Sequence, residues 1–107
     1  MSRITMNNTM VNISDNGEFT VGKKTFRLKV IGRALCAELQ DDTNFICGRK
    51  EISTSIFDNS IEETVESVVR CCCFYRGILS EPVIIFGKGT KQYLVSEYER
   101  AALKSGL

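Results

Sequence analysis

The segment from Ser60 to Gly77 constrains the fold of this chain more than any other, because its local signals all agree on one helix. Ser60 supplies an N-cap hydroxyl, and Glu63 follows three residues later to complete a capping box. Acidic residues lie in the first turns and arginines towards the end, as the helix dipole favours. Gly77 is a natural residue just beyond the last turn. The pattern predicts a helix over residues 60–76.

One face of this predicted helix is apolar along its whole length, as expected for a helix that packs on other elements. The stripe contains Ile61, Val65, Val68, Val69, Cys72 and Tyr75. Because valines are weak helix formers, we expect packing on a sheet, rather than intrinsic propensity, to hold the helix. The opposite side carries Glu63, Glu66, Arg70 and Phe74. We call these four residues the outer arc.

Most of the remaining chain reads as short strands. Phe26 to Ile31 is the clearest, since apolar and charged residues alternate along it, as in a sheet with one solvated face. Asn16-Gly17 predicts a hairpin turn between the first two strands. The other predicted strands cover residues 10–14, 18–21, 33–40, 45–47, 50–57 and 83–86.

The chain after Gly87 allows two interpretations. In the first, residues 92–95 form a strand that pairs with residues 83–86, and a capping box at Ser96 and Glu99 opens a short helix to about residue 104. In the second, one helix runs from residue 90 to residue 105, with Leu94 on its apolar face. The first interpretation is favoured.

Strands that are segregated from helices predict an α+β fold. We expect a single domain over residues 1–107, with residues 1–8 frayed. A mainly antiparallel sheet of about five to seven strands would be covered by one central helix over residues 60–76. A short C-terminal helix would complete the domain.

Composition argues against several classes of function. The chain has no histidine, the commonest general base. Three of its five cysteines are adjacent, and neighbouring positions on a helix diverge too far to hold one metal ion. No apolar run is long enough to span a membrane or to act as a secretion signal. We therefore expect a cytoplasmic protein that is not an enzyme, with no cofactor, no metal site and no membrane partner, whose cysteines act as small buried apolar residues.

The longest stretch without an acidic residue carries a basic cluster. Its members are Lys23, Lys24, Arg27, Lys29 and Arg33. If Arg27 and Lys29 share the open face of the sheet, they can follow a phosphate backbone. Phe26 is out of phase with them, so this face lacks the aromatic rings that stack on bases. An ordinary solvated sheet face is the alternative interpretation.

A glycine-rich segment after the last predicted strand raises a further alternative. It is not a P-loop, because Lys88 is followed by Gly89 rather than by serine or threonine. Backbone N–H groups flanked by glycine can nevertheless bind a phosphate. Gly87, Lys88, Gly89 and Lys91 are therefore candidate anion-binding residues. A β-turn with solvated lysines is the simpler interpretation.

Three hypotheses of function follow from these features. The first is a non-enzymatic protein that binds an unknown protein partner through the outer arc, because aromatic and arginine residues are frequent hot spots. Its small size suits an inhibitor or regulator encoded by a phage or mobile element, acting alone or as a homodimer. The second is a nucleic-acid-binding module that uses the basic cluster, and the third is a small nucleotide-binding protein. We favour the first.

Overall fold

The computed structural model describes residues 9–52, 61–78 and 80–104, and these residues form six strands and two helices. The strands are β1 (Thr9–Ile13), β2 (Glu18–Val21), β3 (Lys24–Ile31), β4 (Ala34–Leu39), β5 (Asp42–Glu51) and β6 (Pro82–Phe86). The helices are α1 (Ile61–Tyr75) and α2 (Thr90–Lys104). In the described ranges, neither helix combines the length and the apolar character that crossing a membrane requires.

The strands divide into two sheets. Four of them form an antiparallel sheet in the order β2-β3-β4-β5, so that each strand pairs with its neighbours along the chain. β1 and β6 form a separate parallel pair. The predicted α+β class and the mainly antiparallel pairing are confirmed. The prediction of one sheet under one central helix is corrected. The strands form one sheet of four and a second sheet of two. The C-terminal helix, α2, is as long as α1, with 15 residues each.

The predicted hairpin of β1 with β2 is wrong, although the turn between them forms. The Gly17 N–H donates to the Ser14 carbonyl at 3.0 Å, as a tight turn requires. Beyond this turn β1 pairs with β6 instead. In that register Val11 lies opposite Ile84, and both face the core. The pairing therefore brings two strands that are distant in sequence together on the core.

β5 is one long strand whose pairing with β4 shifts register at two places, one of them a bulge at Gly48. Ala37 of β4 lies opposite Cys47, whereas Cys36 lies opposite Arg49, so Gly48 is the extra residue on β5. The sequence predicted two separate strands, 45–47 and 50–57, because the glycine interrupts the alternating pattern. The first is part of β5, the second contributes only its first two residues to it, and residues 53–57 lie outside the described ranges.

α1 lies across β4 and β5 and also contacts β6. Its buried residues are Ile61, Thr64, Val65, Val68, Val69, Cys72 and Cys73. The predicted apolar stripe is confirmed except at Tyr75, which is 50% exposed and packs its ring against Phe45 with centroids 4.8 Å apart. The predicted N-cap, Ser60, lies outside the described residues.

α2 begins at Thr90, so the strand predicted over residues 92–95 is wrong and the continuous helix is correct. Leu94 is fully buried in the core. The Tyr93 hydroxyl donates to the Leu28 carbonyl at 2.9 Å. Leu28 lies on β3 just beyond the residues that pair with β2, so α2 covers this part of the edge of β3.

Candidate functional site

The outer arc lies on the solvent side of α1, and its N-terminal half also borders β6. Its residues recur every three or four positions, which places them along one side of the helix. Glu63, Arg70 and Phe74 are exposed, and Glu66 is partly exposed. Phe74 is the extreme case, with 71% of its surface accessible to solvent. The structure therefore brings the four predicted residues together on one surface.

Arg70 is held between two carboxylates. Its Nη2 lies 3.3 Å from Glu66 Oε2, one turn earlier on the helix, and 2.9 Å from Glu81 Oε1, just before β6. Exposed ion pairs contribute little to stability, because solvent screens them. The two contacts nevertheless restrict the positions that this long side chain can adopt. Sequence reasoning missed Glu81, which has no local pattern that links it to α1.

Phe74 completes a shallow depression on α1 together with Ser67, Arg70 and Cys71. An aromatic ring exposed to this degree can bury a large apolar area against a partner. Full burial of one such side chain is worth about 2–3 kcal/mol. The adjacent fixed arginine adds planar hydrogen-bond donors to the same surface.

The three adjacent cysteines of α1 divide between core and surface. Cys72 and Cys73 are buried, whereas Cys71 is exposed. Burial raises the pKa of the Cys72 thiol far above its usual value, and also raises the pKa of the Cys73 thiol. The neutral thiol is a poor nucleophile, so these two side chains act as small apolar residues. Across residues 9–52, 61–78 and 80–104, no three histidine, cysteine or carboxylate side chains are grouped to hold a metal ion.

Ion pairs with carboxylates on β2, on β4 and in the turn after β4 neutralise much of the basic cluster. The pairs are Lys24–Asp41 (3.1 Å), Arg27–Glu18 (2.5 Å) and Lys29–Glu38 (3.6 Å). Lys23 and Arg33 are exposed at the two turns that flank β3. A carboxylate beside each of three cations weakens the attraction of this face for a phosphate backbone. The geometry therefore favours the interpretation of a solvated sheet face over a nucleic-acid surface.

The Gly87–Gly89 segment binds an anion that belongs to the protein itself. The Gly89 N–H donates to Asp15 Oδ1 at 2.9 Å, at the start of α2. The Gly87 N–H donates to the Ile13 carbonyl at 2.8 Å. Asp15 thus occupies the position that the anion hypothesis assigned to a phosphate, where a helix N-terminus favours negative charge. Sequence reasoning missed Asp15 because it lies 74 residues from Gly89.

The other residues at the start of α2 either make structural contacts or are exposed to solvent. Thr90, at the start of α2, donates its hydroxyl to the Ser14 carbonyl at 2.8 Å. Lys91 Nζ lies 3.6 Å from Glu62 Oε2 on α1, and Lys88 is exposed. These contacts tie α2 to the turn after β1 and to α1. They favour a structural role for the glycine-rich segment.

Asp15→Ala is expected to lower the free energy of unfolding by about 1 kcal/mol, the usual cost of losing an N-terminal cap. Asp15→Asn retains an acceptor oxygen and should lose less. Urea denaturation followed by circular dichroism measures both variants against the wild type. Equal stability of Asp15→Ala and the wild type would show that the contact with Gly89 does not hold α2 in place.

The structure also shows a second exposed apolar surface, on the outer side of the β1–β6 pair. Met10 lies opposite Val83, and both are exposed, at 57% and 37%. Ile85, two residues further along β6, is 42% exposed. Sequence reasoning missed this surface because both alternating sets of β6 are apolar.

The described residues define a small α+β domain with an aromatic and arginine-bearing helix face. No protein-family model, no curated protein and no solved structure matches this chain. The assignment of function therefore rests on the geometry of the molecule.

Proposed function

We propose that this chain is a non-enzymatic, cytoplasmic protein that binds another protein through the outer arc of α1. The observation that carries the proposal is Phe74, which is 71% exposed beside an arginine fixed by Glu66 and Glu81. Aromatic and arginine side chains dominate the binding energy of protein interfaces. An inhibitor or regulator, as in phages and mobile elements, is the role that this small domain suits.

The way α1 is anchored supports the same proposal. Val65, Val69 and Cys72 fix its inner side in the core at 0% exposure. The helix therefore presents the outer arc as a rigid surface, which reduces the conformational entropy lost on binding. Within the outer arc, Arg70 pairs with Glu66. This arrangement fits the polar rim of an interface around an aromatic residue.

Phe74→Ala is expected to weaken partner binding by about 30-fold, in the range typical of an interface hot spot. Tagged wild-type protein would first capture its partner from a lysate of the source organism, and mass spectrometry would identify it. Calorimetry with the purified partner then gives the dissociation constants. Leu103→Ala is the matched control, because Leu103 is 77% exposed but lies on α2.

Leu103→Ala should leave the dissociation constant unchanged. If the partner is a second copy of this chain, Phe74→Ala should instead convert a dimer to a monomer in sedimentation experiments. The proposal fails if the wild type is monomeric and captures no protein. It also fails if Phe74→Ala and Leu103→Ala bind the partner as tightly as the wild type.

A further inference from the structure

The outer edge of β6 has main-chain groups that point away from β1. The hydrogen bonds from Thr9 N–H to the Glu81 carbonyl and from Gly87 N–H to the Ile13 carbonyl fix the phase of the parallel pair. Since successive residues of a strand alternate in direction, Val83 and Ile85 direct their N–H and C=O groups to β1. Ile84 and Phe86 therefore direct theirs to the outer edge. Pro82, which has no N–H, opens the strand.

The edge of β6 is less protected than that of β5 and that of β3 at Leu28, because only Pro82, at its first residue, hinders pairing. β5 ends in exposed charged residues at positions 49–51, and α2 covers the edge of β3 at Leu28. Charged side chains and covering helices are the usual means by which proteins prevent unwanted pairing. β6 has the sequence PVIIF, without a charge, and its Val83 and Ile85 are exposed. Such an edge is suited to pairing with another strand.

A groove with an acidic rim runs between this edge and α1. It is lined by Glu62, Glu63 and Glu66 on the helix and by Pro82, Val83, Ile84 and Phe86 on the strand. Arg70 pairs with Glu66 and Glu81, and Lys91 pairs with Glu62. Four glutamates against these two cations leave a net charge of −2 around the groove.

We propose that this groove binds an extended, positively charged segment of the partner protein, which adds to β6 as a further strand. The N–H and C=O groups of Ile84 and Phe86 form the main-chain hydrogen bonds. Val83 and Ile85 contact alternate apolar side chains, and Glu63, together with the net negative charge of the groove, attracts lysine or arginine between them. Strand addition of this kind takes its affinity from the main chain and its specificity from the side chains. The inference rests on the proposed function and names the chemistry of the partner.

A second copy of this chain fits the edge poorly. Antiparallel pairing of two β6 edges about a two-fold axis would place both α1 helices on the same side of the joined sheet. The two acidic rims would then face each other, and like charges in register oppose association. A positively charged segment would instead be attracted by the net negative charge of the groove. The charge of the groove therefore selects the basic segment as the occupant.

Three synthetic nine-residue peptides test the proposal directly. The first alternates lysine and valine (KVKVKVKVK), the second alternates glutamate and valine, and the third has proline at every valine position of the first. We expect the lysine–valine peptide to bind at least about tenfold more tightly than either of the others. The proline peptide has the same charge but cannot add as a strand, so it measures non-specific attraction. Equal binding of the lysine–valine and lysine–proline peptides would overturn the proposal.

Amide hydrogen exchange of the wild-type protein gives an independent readout that needs no variant. Without peptide, the amides of Ile84 and Phe86 should exchange faster than those of Val83 and Ile85, which bond to β1. The lysine–valine peptide should slow exchange at Ile84 and Phe86. Unchanged exchange at these two amides in the presence of bound peptide would show that the peptide does not pair with β6.

Val83→Lys tests the edge in the folded protein, since it adds the kind of charge that protects natural edges. Met10→Lys is the matched control, because Met10 lies opposite Val83 on the same outer surface but one strand away from the edge. We expect Val83→Lys to weaken the lysine–valine peptide at least about tenfold and Met10→Lys to have a smaller effect. Equal effects of the two variants would contradict strand addition. Partner binding that depends on Phe74 but not on Val83 would retain the proposed function and overturn this inference alone.

Discussion

Gly48→Ala is expected to lower the free energy of unfolding by about 3 kcal/mol, a large effect for one added methyl group. Gly48 has φ +75°, a conformation that costs a residue with a Cβ atom about 1–2 kcal/mol. A Cβ there would lie 3.0 Å from the Val68 carbonyl oxygen and 3.2 Å from Cys71 Cβ. Both atoms belong to α1, so the helix would have to move away from β5.

Gly32→Ala separates the two contributions to this loss. Gly32 has φ +63°, but a Cβ there would have no atom within 4 Å. This variant should therefore show the backbone cost alone, about 1 kcal/mol. Urea denaturation of both variants gives the difference, which reports how closely α1 packs on the bulge. If Gly48→Ala is no less stable than Gly32→Ala, the close approach of α1 to Gly48 is wrong.

The elements that could be predicted from the sequence are those whose signals are local. α1 has a continuous apolar stripe, and its burial follows from the 3.6-residue period. β3 alternates apolar and charged residues, and Phe26, Leu28 and Val30 are buried as that alternation requires. In both cases the apolar face must be buried, whichever element packs on it. The pattern alone therefore determines which side chains lie in the core.

The errors occurred where a distant residue decides the local structure. β1 pairs with β6 across about 70 residues of chain, and no local pattern records that contact. The start of α2 shows the same effect. Gly89 has no side chain with which to cap the helix, and the cap comes from Asp15. The capping pattern at Ser96 and Glu99 therefore indicated a capping residue seven positions after Gly89, which directly precedes α2.

Of the candidate site, only the residues on α1 could be predicted from the sequence. Helical geometry places Phe74 and Arg70 on the solvent side without any knowledge of the fold. The fixing of Arg70 by Glu81 depends on where β6 lies, and so does the acidic groove. The ion pairs that favour a solvated sheet face for the basic cluster were equally invisible to local patterns. The neutralising carboxylates, such as Glu18 and Glu38, lie on neighbouring strands whose register the sequence does not reveal.

Gly87→Ala is the second substitution for which we expect a large loss, about 2–3 kcal/mol of unfolding free energy. A Cβ at Gly87 would lie 2.9 Å from the Ile13 carbonyl oxygen and 2.5 Å from Asp15 Oδ1. Ile13 cannot retreat without losing its hydrogen bond from the Gly87 N–H. Asp15 can rotate away, but it then leaves the Gly89 N–H, and α2 loses its cap.

Gly89→Ala and a double-mutant cycle distinguish these causes. A Cβ at Gly89 would lie 3.3 Å from Asp15 Cβ and Cγ, a tight contact that a small shift relieves, so we expect a loss of about 1 kcal/mol. In the cycle, Asp15→Ala removes both the obstacle and the cap, so Gly87→Ala should cost less in that background than in the wild type. Thermal and urea unfolding of the four proteins measure the coupling. Strict additivity would show that Asp15 and Gly87 do not share a contact.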